Sequence, residues 1–448
     1  MSEAWRGMTA LELGAGIEAG RIDPRELTET FLAAAEAHPD GARVYVRLTA
    51  ARARAEADAA RARARAGLRR GRLDGVPISW KDLCDGAGEV SAAGSAMLSD
   101  RAPATADCPA LDRATQAGMI CLGRTHMTEL AFSGLGVNPV TATSPNVHNA
   151  DGRDWAPGGS SSGAAASTAL GLAAAGIGSD TGGSVRIPAA WQDLVGLKTT
   201  LGLVPVDGTV PLAAWFDTLG PLCRSVADAA AITAVMADRP APDLTGASVA
   251  GARILVDEGA AMEGVEEAPR RAFEASLARL EAAGAVLTRA PIPEFAEALA
   301  LSKALVVGEA WAQWSGLIAE RGDRMFHQVR RRFEVGSDVT LPEYWEARRK
   351  MMAIRAAYAV RTAGFDAVAA PTSPILPPSV SRLLEDEAYF ERSNLMALRN
   401  TRIGNLLGSC ALTLPTGEPG CGLMLMGAAF AEGALCRLGA GAERALAV

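Results

Sequence analysis

The run P-G-G-S-S-S-G-A-A-A-S-T-A-L-G-L-A-A-A-G-I-G-S-D-T-G-G-S-V-R-I-P, residues 157–188, holds two Gly-Gly-Ser turns, Gly158-Gly159-Ser160 and Gly182-Gly183-Ser184, placed 24 residues apart. Between them, Gly163 to Leu170 is made of small side chains and reads as a close-packed helix. Gly171 ends that helix, and Leu172 to Gly178 reads as a short buried strand. Turn, helix, strand and turn in this order are the units of an α/β fold. A glycine pair ahead of a serine lets the backbone turn sharply and sets the hydroxyl beside exposed N–H groups, the donors from which an oxyanion hole is made. One such turn is ordinary packing. Two of them, with Asp180 and Arg186 around the second and a lysine upstream, point to a site.

The same alternation extends outward. Upstream, a β-like run from Val76 to Trp80 ends in Lys81-Asp82, and Ala110–Thr125 reads as a helix followed by a strand, Met119 to Gly123. Met127 to Phe132 reads as another helical turn. Downstream, Leu194–Leu203 and Gly220–Leu222 look like strand and turn pieces, and Val226–Ala237 a helix. Arg253–Val256, Ala268–Gly284 and Val286–Arg289 make one β-α-β unit. Pro293–Arg361 is mainly helical and carries Trp311, Trp314, Tyr344 and Trp345. Asp366–Pro378 is a buried strand leaving into a proline loop, and Asn405–Pro415 and Gly422–Met426 supply late strands. Residues 1–71 read as helical, with a capping box at Thr9 and Glu12 and a second start at Asp23-Pro24 with Glu26. Gly14, Gly16 and Gly20 mimic a dinucleotide fingerprint, but a helix cap precedes them where a strand is needed. The Ala/Arg-rich segment 50–70 reads as a solvated surface helix. Strands and helices alternating along the chain predict an α/β layered fold around a mixed sheet.

Composition narrows the chemistry. At 448 residues and 49% hydrophobic, the chain can bury a large core. A net charge of −7 argues against nucleic acid or an anionic membrane as partner, and no apolar run approaches the roughly 20 residues of a membrane span. Seven scattered cysteines (84, 108, 121, 223, 410, 421, 436), without C-x-x-C pairs, suit reduced thiols in a cytoplasm. No metal cluster or cofactor motif stands out. Four lysines (81, 198, 303, 350) survive among forty arginines. Lysine, unlike arginine, can give up its proton near neutral pH, so Lys81 at the end of an apolar strand draws notice.

Lys81 in G-V-P-I-S-W-K-D, Ser160 in P-G-G-S-S-S-G and Ser184 in S-D-T-G-G-S-V-R-I-P-A-A together resemble the amidase signature family, most strongly over residues 73–225. Weaker echoes, R-T-H-M-T-E-L-A-F-S, A-P-T-S-P and A-L-T-L-P-T-G, extend the likeness over most of the chain. The resemblance implies a single α/β/α domain over residues 1–448 with a central twisted mixed sheet flanked by helices: N-terminal helices to residue 71, the signature core, and a helical substrate-pocket cap over 290–362. It implies a Ser-Ser-Lys triad, with Ser184 as nucleophile, Ser160 after a cis peptide bond as proton relay and Lys81 as base. The amides of Thr181, Gly182, Gly183 and Ser184 would form the oxyanion hole. Ala131, Phe132 and Ser133 would line the acyl pocket, and Asp180 and Arg186 would pair to hold the loop. Burial disfavours an ammonium, so Lys81 could rest neutral and serve as base.

The expected function is hydrolysis of linear amide C–N bonds through an acyl-enzyme on Ser184, with no cofactor. The substrate would be a small amide, an aryl amide, an aryl carbamate or an ester. Dimers are common in similar enzymes, so a homodimer is an expected assembly. Two other readings stand beside this one. The glutaminase component of a tRNA-dependent amidotransferase shares the machinery, but usually has glutamine where Ile187 follows Arg186. A non-catalytic binding protein on the same fold would be expected to have lost a triad member, and all three are present. The departures are Ser162 for a glycine, Ser179 at the first position of the second motif, and Trp191-Gln192-Asp193-Leu194 after the last proline.

Overall fold

The computed structural model describes residues 2–447. Eleven strands form one sheet: β1 (Tyr45–Leu48), β2 (Pro77–Lys81), β3 (Ile120–Thr125), β4 (Ala175–Ser179), β5 (Val195–Lys198), β6 (Leu219–Cys223), β7 (Arg253–Asp257), β8 (Val286–Ala290), β9 (Ala367–Pro371), β10 (Cys410–Pro415) and β11 (Gly422–Gly427). Their spatial order is β1-β3-β2-β4-β6-β5-β10-β11-β9-β7-β8. β2 runs parallel to both β3 and β4, while β4 pairs antiparallel with β6, which makes the sheet mixed. The central strands are buried along their whole length, as expected where helices cover both faces.

Helices form the outer layers. Val226–Ala237 and Glu267–Ala282 each pack on Glu432–Leu446 and against strands of the sheet. Ser162–Ala169 and Arg186–Trp191 touch each other and other strands, and Glu387–Leu406 packs over the second of these. The expected α/β/α architecture is what forms. Small residues in Ser162–Ala169 have a reason: the helix lies so close to β4 that a Cβ on Gly176 would stand 2.4 Å from the Ala164 carbonyl oxygen.

Several expectations shift. The first 71 residues are not all helix, because Tyr45–Leu48 forms β1, an edge strand antiparallel to β3. Four residues are too few to show a period against the helical segments around them. Asn405 belongs to the helix Glu387–Leu406, and the strand begins only at Cys410. Met127–Phe132 gives a single 3-10 turn, Glu129–Ala131, with Leu130 and Ala131 at positive φ of 48° and 58°. The capping box at Thr9 and Glu12 and the Asp23 cap form as read. No helix among the described residues is long and apolar enough to cross a membrane.

Candidate active site

Three adjacent strand ends and turns deliver the site. β2 ends at Lys81, whose side chain is fully buried. Neighbouring β4 ends at Ser179, and the second Gly-Gly-Ser turn follows it directly. The first turn, with a cis Gly159–Ser160 peptide, lies just before the helix Ser162–Ala169 that packs on both strands. Backbone bonds pin that turn: Gly159 N–H donates to the Gly134 carbonyl at 2.8 Å, and Thr128 N–H to the Ser160 carbonyl at 3.0 Å. The two turns are tied together where Ser161 N–H donates to the Ser184 carbonyl at 3.2 Å.

Lys81 Nζ has hydroxyls for neighbours: Ser160 Oγ at 2.7 Å, Ser179 Oγ at 2.8 Å and Ser161 Oγ at 3.0 Å. None of the three is charged. Burial therefore pushes Lys81 from 10.5 down to about 7, against the more distant pull of Asp180 and Asp217. Ser160 is the expected partner. Ser161 and Ser179 join it without a signal in the sequence: the motif assigns Ser161 no role, and Ser179 reads only as a variant motif position. The parallel pairing of β2 with β4 brings Ser179 to the lysine, and nothing local in the sequence states that pairing.

The second turn is held from behind. Asp180 is fully buried and receives N–H groups from Gly183 (2.8 Å) and Val185 (3.1 Å), Arg186 Nη2 (2.8 Å) and Nε (3.0 Å), and Asn405 Nδ2 (2.9 Å). Burial alone would raise this carboxyl; the Arg186 guanidinium and these donors hold it well below the usual carboxylate range. Arg186 also reaches the Thr401 carbonyl at 2.7 Å and Asn405 Oδ1 at 2.6 Å. The Gly183 amide is therefore turned inward to Asp180. Among the described residues the amides of Thr181, Gly182 and Ser184 meet no acceptor, so three of the four expected oxyanion donors are free. Gly183 sits at φ 136°, and a Cβ there would fall 2.0 Å from Thr401 Oγ1. Thr181 Oγ1 donates to Asp217 Oδ1 at 2.5 Å, a buried carboxyl that burial pushes up to about 6. Ser184 is 3% exposed, and its hydroxyl has no hydrogen-bond partner among the described residues, which leaves it available to an incoming carbonyl.

The expected acyl-pocket residues are mixed. The Phe132 ring packs against Phe333 with centroids 4.5 Å apart. Ser133 donates its hydroxyl to Asn394 Oδ1 at 3.0 Å, so that side chain is tied to the helix Glu387–Leu406. Ala131 is buried in the turn beside them. Of the aromatics in the helical segment, Trp314 is buried and bonds the Pro211 carbonyl at 2.9 Å, whereas Trp345 is 64% exposed and faces solvent.

This constellation can be set beside known proteins. The Amidase family profile matches residues 26–436. The 2-amino-5-chloromuconic acid deaminase of Comamonas testosteroni is 35% identical, with 97% of this chain and 96% of that protein aligned. A glutamyl-tRNA(Gln) amidotransferase component from Halorhodospira halophila (strain DSM 244 / SL1) is 33% identical, with 96% of each chain covered. A solved structure described as an amidase superposes with a TM-score of 0.87 at 30% identity, covering 98% of this chain and 99% of its own. Family profile, relatives and fold agree over nearly the full length, and the chain belongs to the amidase family, as an enzyme that hydrolyses linear amide C–N bonds.

Proposed function

We propose that this enzyme works by a Ser-Ser-Lys mechanism in which Ser184 attacks the amide carbonyl. Lys81, neutral in a good fraction of molecules near pH 7, takes the proton by way of Ser160. The tetrahedral oxyanion settles on the free amides of Thr181, Gly182 and Ser184. The leaving amine recovers the proton along the same path, and water then releases the acid from the acylated Ser184. The observation that carries this reading is the buried Lys81 amine held 2.7 Å from Ser160 Oγ with no carboxylate in contact. An amine must be uncharged to accept a proton, and burial among hydroxyls favours that form.

Aryl carbamates and esters pass through the same intermediate and belong to the same proposed range. The residues 290–362 are proposed as the pocket cap, a homodimer as the assembly, and a reducing cytoplasm, which suits the seven free, buried thiols, as the location. The amidotransferase relatives favour a second reading, a glutaminase that works with partner proteins.

A panel of a short aliphatic amide, an anilide, an aryl carbamate, the matching ester and glutamine separates these readings. Turnover in the purified chain and its loss in Ser184→Ala, with an acyl adduct on Ser184 seen by mass spectrometry, is the expected result. Activity on glutamine alone supports the second reading. Full turnover in Ser184→Ala overturns the nucleophile assignment.

A further inference from the structure

The loop from Thr128 to Gly134 is fastened to the first Gly-Gly-Ser turn at both ends. Thr128 N–H donates to the Ser160 carbonyl at 3.0 Å, and the Gly134 carbonyl accepts from Gly159 N–H at 2.8 Å. Between these bonds the chain carries Leu130 and Ala131 at positive φ and then the Phe132 ring. Non-glycine residues stay in that region only where their surroundings hold them there. One hold is the Ala93 carbonyl, which accepts from Leu130 N–H at 2.9 Å. Another is a clasp to the helix His327–Glu334. Phe326 N–H, at the cap of that helix, donates to Glu129 Oε2 at 2.8 Å, and Arg332 Nε donates to the Phe132 carbonyl at 2.8 Å. Phe333 packs on the Phe132 ring.

Glu129 is fully buried, and its other oxygen accepts the Ser95 hydroxyl at 2.7 Å. Both partners are neutral. The charged groups around it are engaged elsewhere or face solvent. Ahead of the helix, Arg321 pairs with Asp100, and Asp323 and Arg324 are exposed. On the helix, His327 is exposed and Arg332 turns to Phe132; beyond Ala93, Asp82 pairs with Arg47. Burial pushes Glu129 up to about 7, against the Ser95 and Phe326 bonds. Ionised, it gives Phe326 N–H a charge-assisted bond and places a negative charge at the start of a helix. Protonated, it gives a neutral bond roughly half as strong.

We infer that Glu129 is a positioning residue for the acyl pocket: its carboxylate seats the helix His327–Glu334 on the loop, and losing the charge loosens the Phe132–Phe333 wall on which larger acyl groups rest. The inference rests on the proposed site at Ser184, which puts the acyl group against this loop. Acyl groups too small to reach the wall are indifferent to it.

The test compares the para-nitroanilides of phenylacetic and acetic acid, which share a leaving group and differ only in the acyl part. The ratio of their kcat/KM values is measured between pH 5 and pH 9 in wild type, Glu129→Gln and Glu129→Asp. Titration of Lys81 enters both rates alike and cancels. In wild type the ratio of phenylacetyl to acetyl should fall roughly fivefold as pH drops through about 7. A glutamine amide can accept from Phe326 N–H and donate to Ser95 Oγ, so it keeps both bonds without the charge. Glu129→Gln should therefore hold the low ratio at every pH, and Glu129→Asp should restore part of the rise. A merely structural part for Glu129 would lower both rates in parallel and leave the ratio alone. A wild-type ratio that does not change with pH, or the same change in Glu129→Gln, overturns the inference. No turnover of either anilide by wild type removes the Ser184 reading itself.

Discussion

Lys81→Met replaces an amine by a neutral side chain of similar length and isolates what burial does to the lysine. The folded value of about 7 lies well below 10.5, and the side chain is fully buried. Because the folded value is depressed, the unfolded chain binds the Lys81 proton more tightly than the folded one. The fold therefore carries a penalty that is complete below pH 7 and fades as pH rises toward 10.5. At about 1.36 kcal/mol per pH unit, the full penalty is on the order of 5 kcal/mol. Between pH 7 and pH 9 wild type should recover roughly 2 kcal/mol of stability that Lys81→Met does not recover. Methionine also takes a partner from the Ser160, Ser161 and Ser179 hydroxyls, about 1 kcal/mol each. That loss does not depend on pH and cancels in the comparison, as does the titration of Lys198, which burial and the nearby Arg186 charge lower to about 8. Urea unfolding of both proteins at pH 7 and pH 9 gives the double difference. Stabilities that change in parallel across that range would show that Lys81 is charged in the folded state and would refute the neutral-base argument.

The same value sets the rate profile. For a good neutral substrate, kcat/KM should fall about tenfold per pH unit as pH drops below about 7 and level off above it, as read from initial rates between pH 5 and pH 9. A profile flat to pH 5 contradicts it. Gly183→Ala puts a Cβ at φ 136° against Thr401 Oγ1 and should displace the donors around it. kcat should fall roughly 10²- to 10³-fold, and activity within threefold of wild type would mean that the turn is not the oxyanion hole.

Much of this site was legible because its residues are local. Lys81 ends an apolar run, Ser160 and Ser184 each follow a glycine pair, and Asp180 and Arg186 lie within one turn of Ser184, so short windows contain them. The helix Val226–Ala237 was readable to the residue because Ser225 caps it and its apolar residues continue to Ala237. What escaped is non-local. Thr401 and Asn405, which brace the second Gly-Gly-Ser turn, stand about 220 positions away on a helix whose end reads as strand in the sequence. The direction of the Gly183 amide was also unreadable, since it depends on where the Asp180 carboxylate ends up rather than on the Gly-Gly-Ser motif.

Three buried ionisable groups in this one region show what the fold decides beyond burial itself. Asp180 meets the Arg186 guanidinium and the N–H groups of Gly183, Val185 and Asn405, and stays charged well below the usual range. Asp217 has one hydroxyl and two backbone amides, with no cation in contact, and burial pushes it up to about 6. Lys81 has three hydroxyls and no contacting carboxylate, and drops to about 7. Similar desolvation thus gives a fixed anion, a carboxyl near its midpoint in mild acid, and an amine near its midpoint at neutrality, according to the contacts each group receives. A carboxylate at position 160, 161 or 179 would pair with the lysine and keep it charged. Serine at all three positions gives Lys81 hydrogen-bond partners that accept either protonation state, which suits its proposed role as a base that takes and returns a proton.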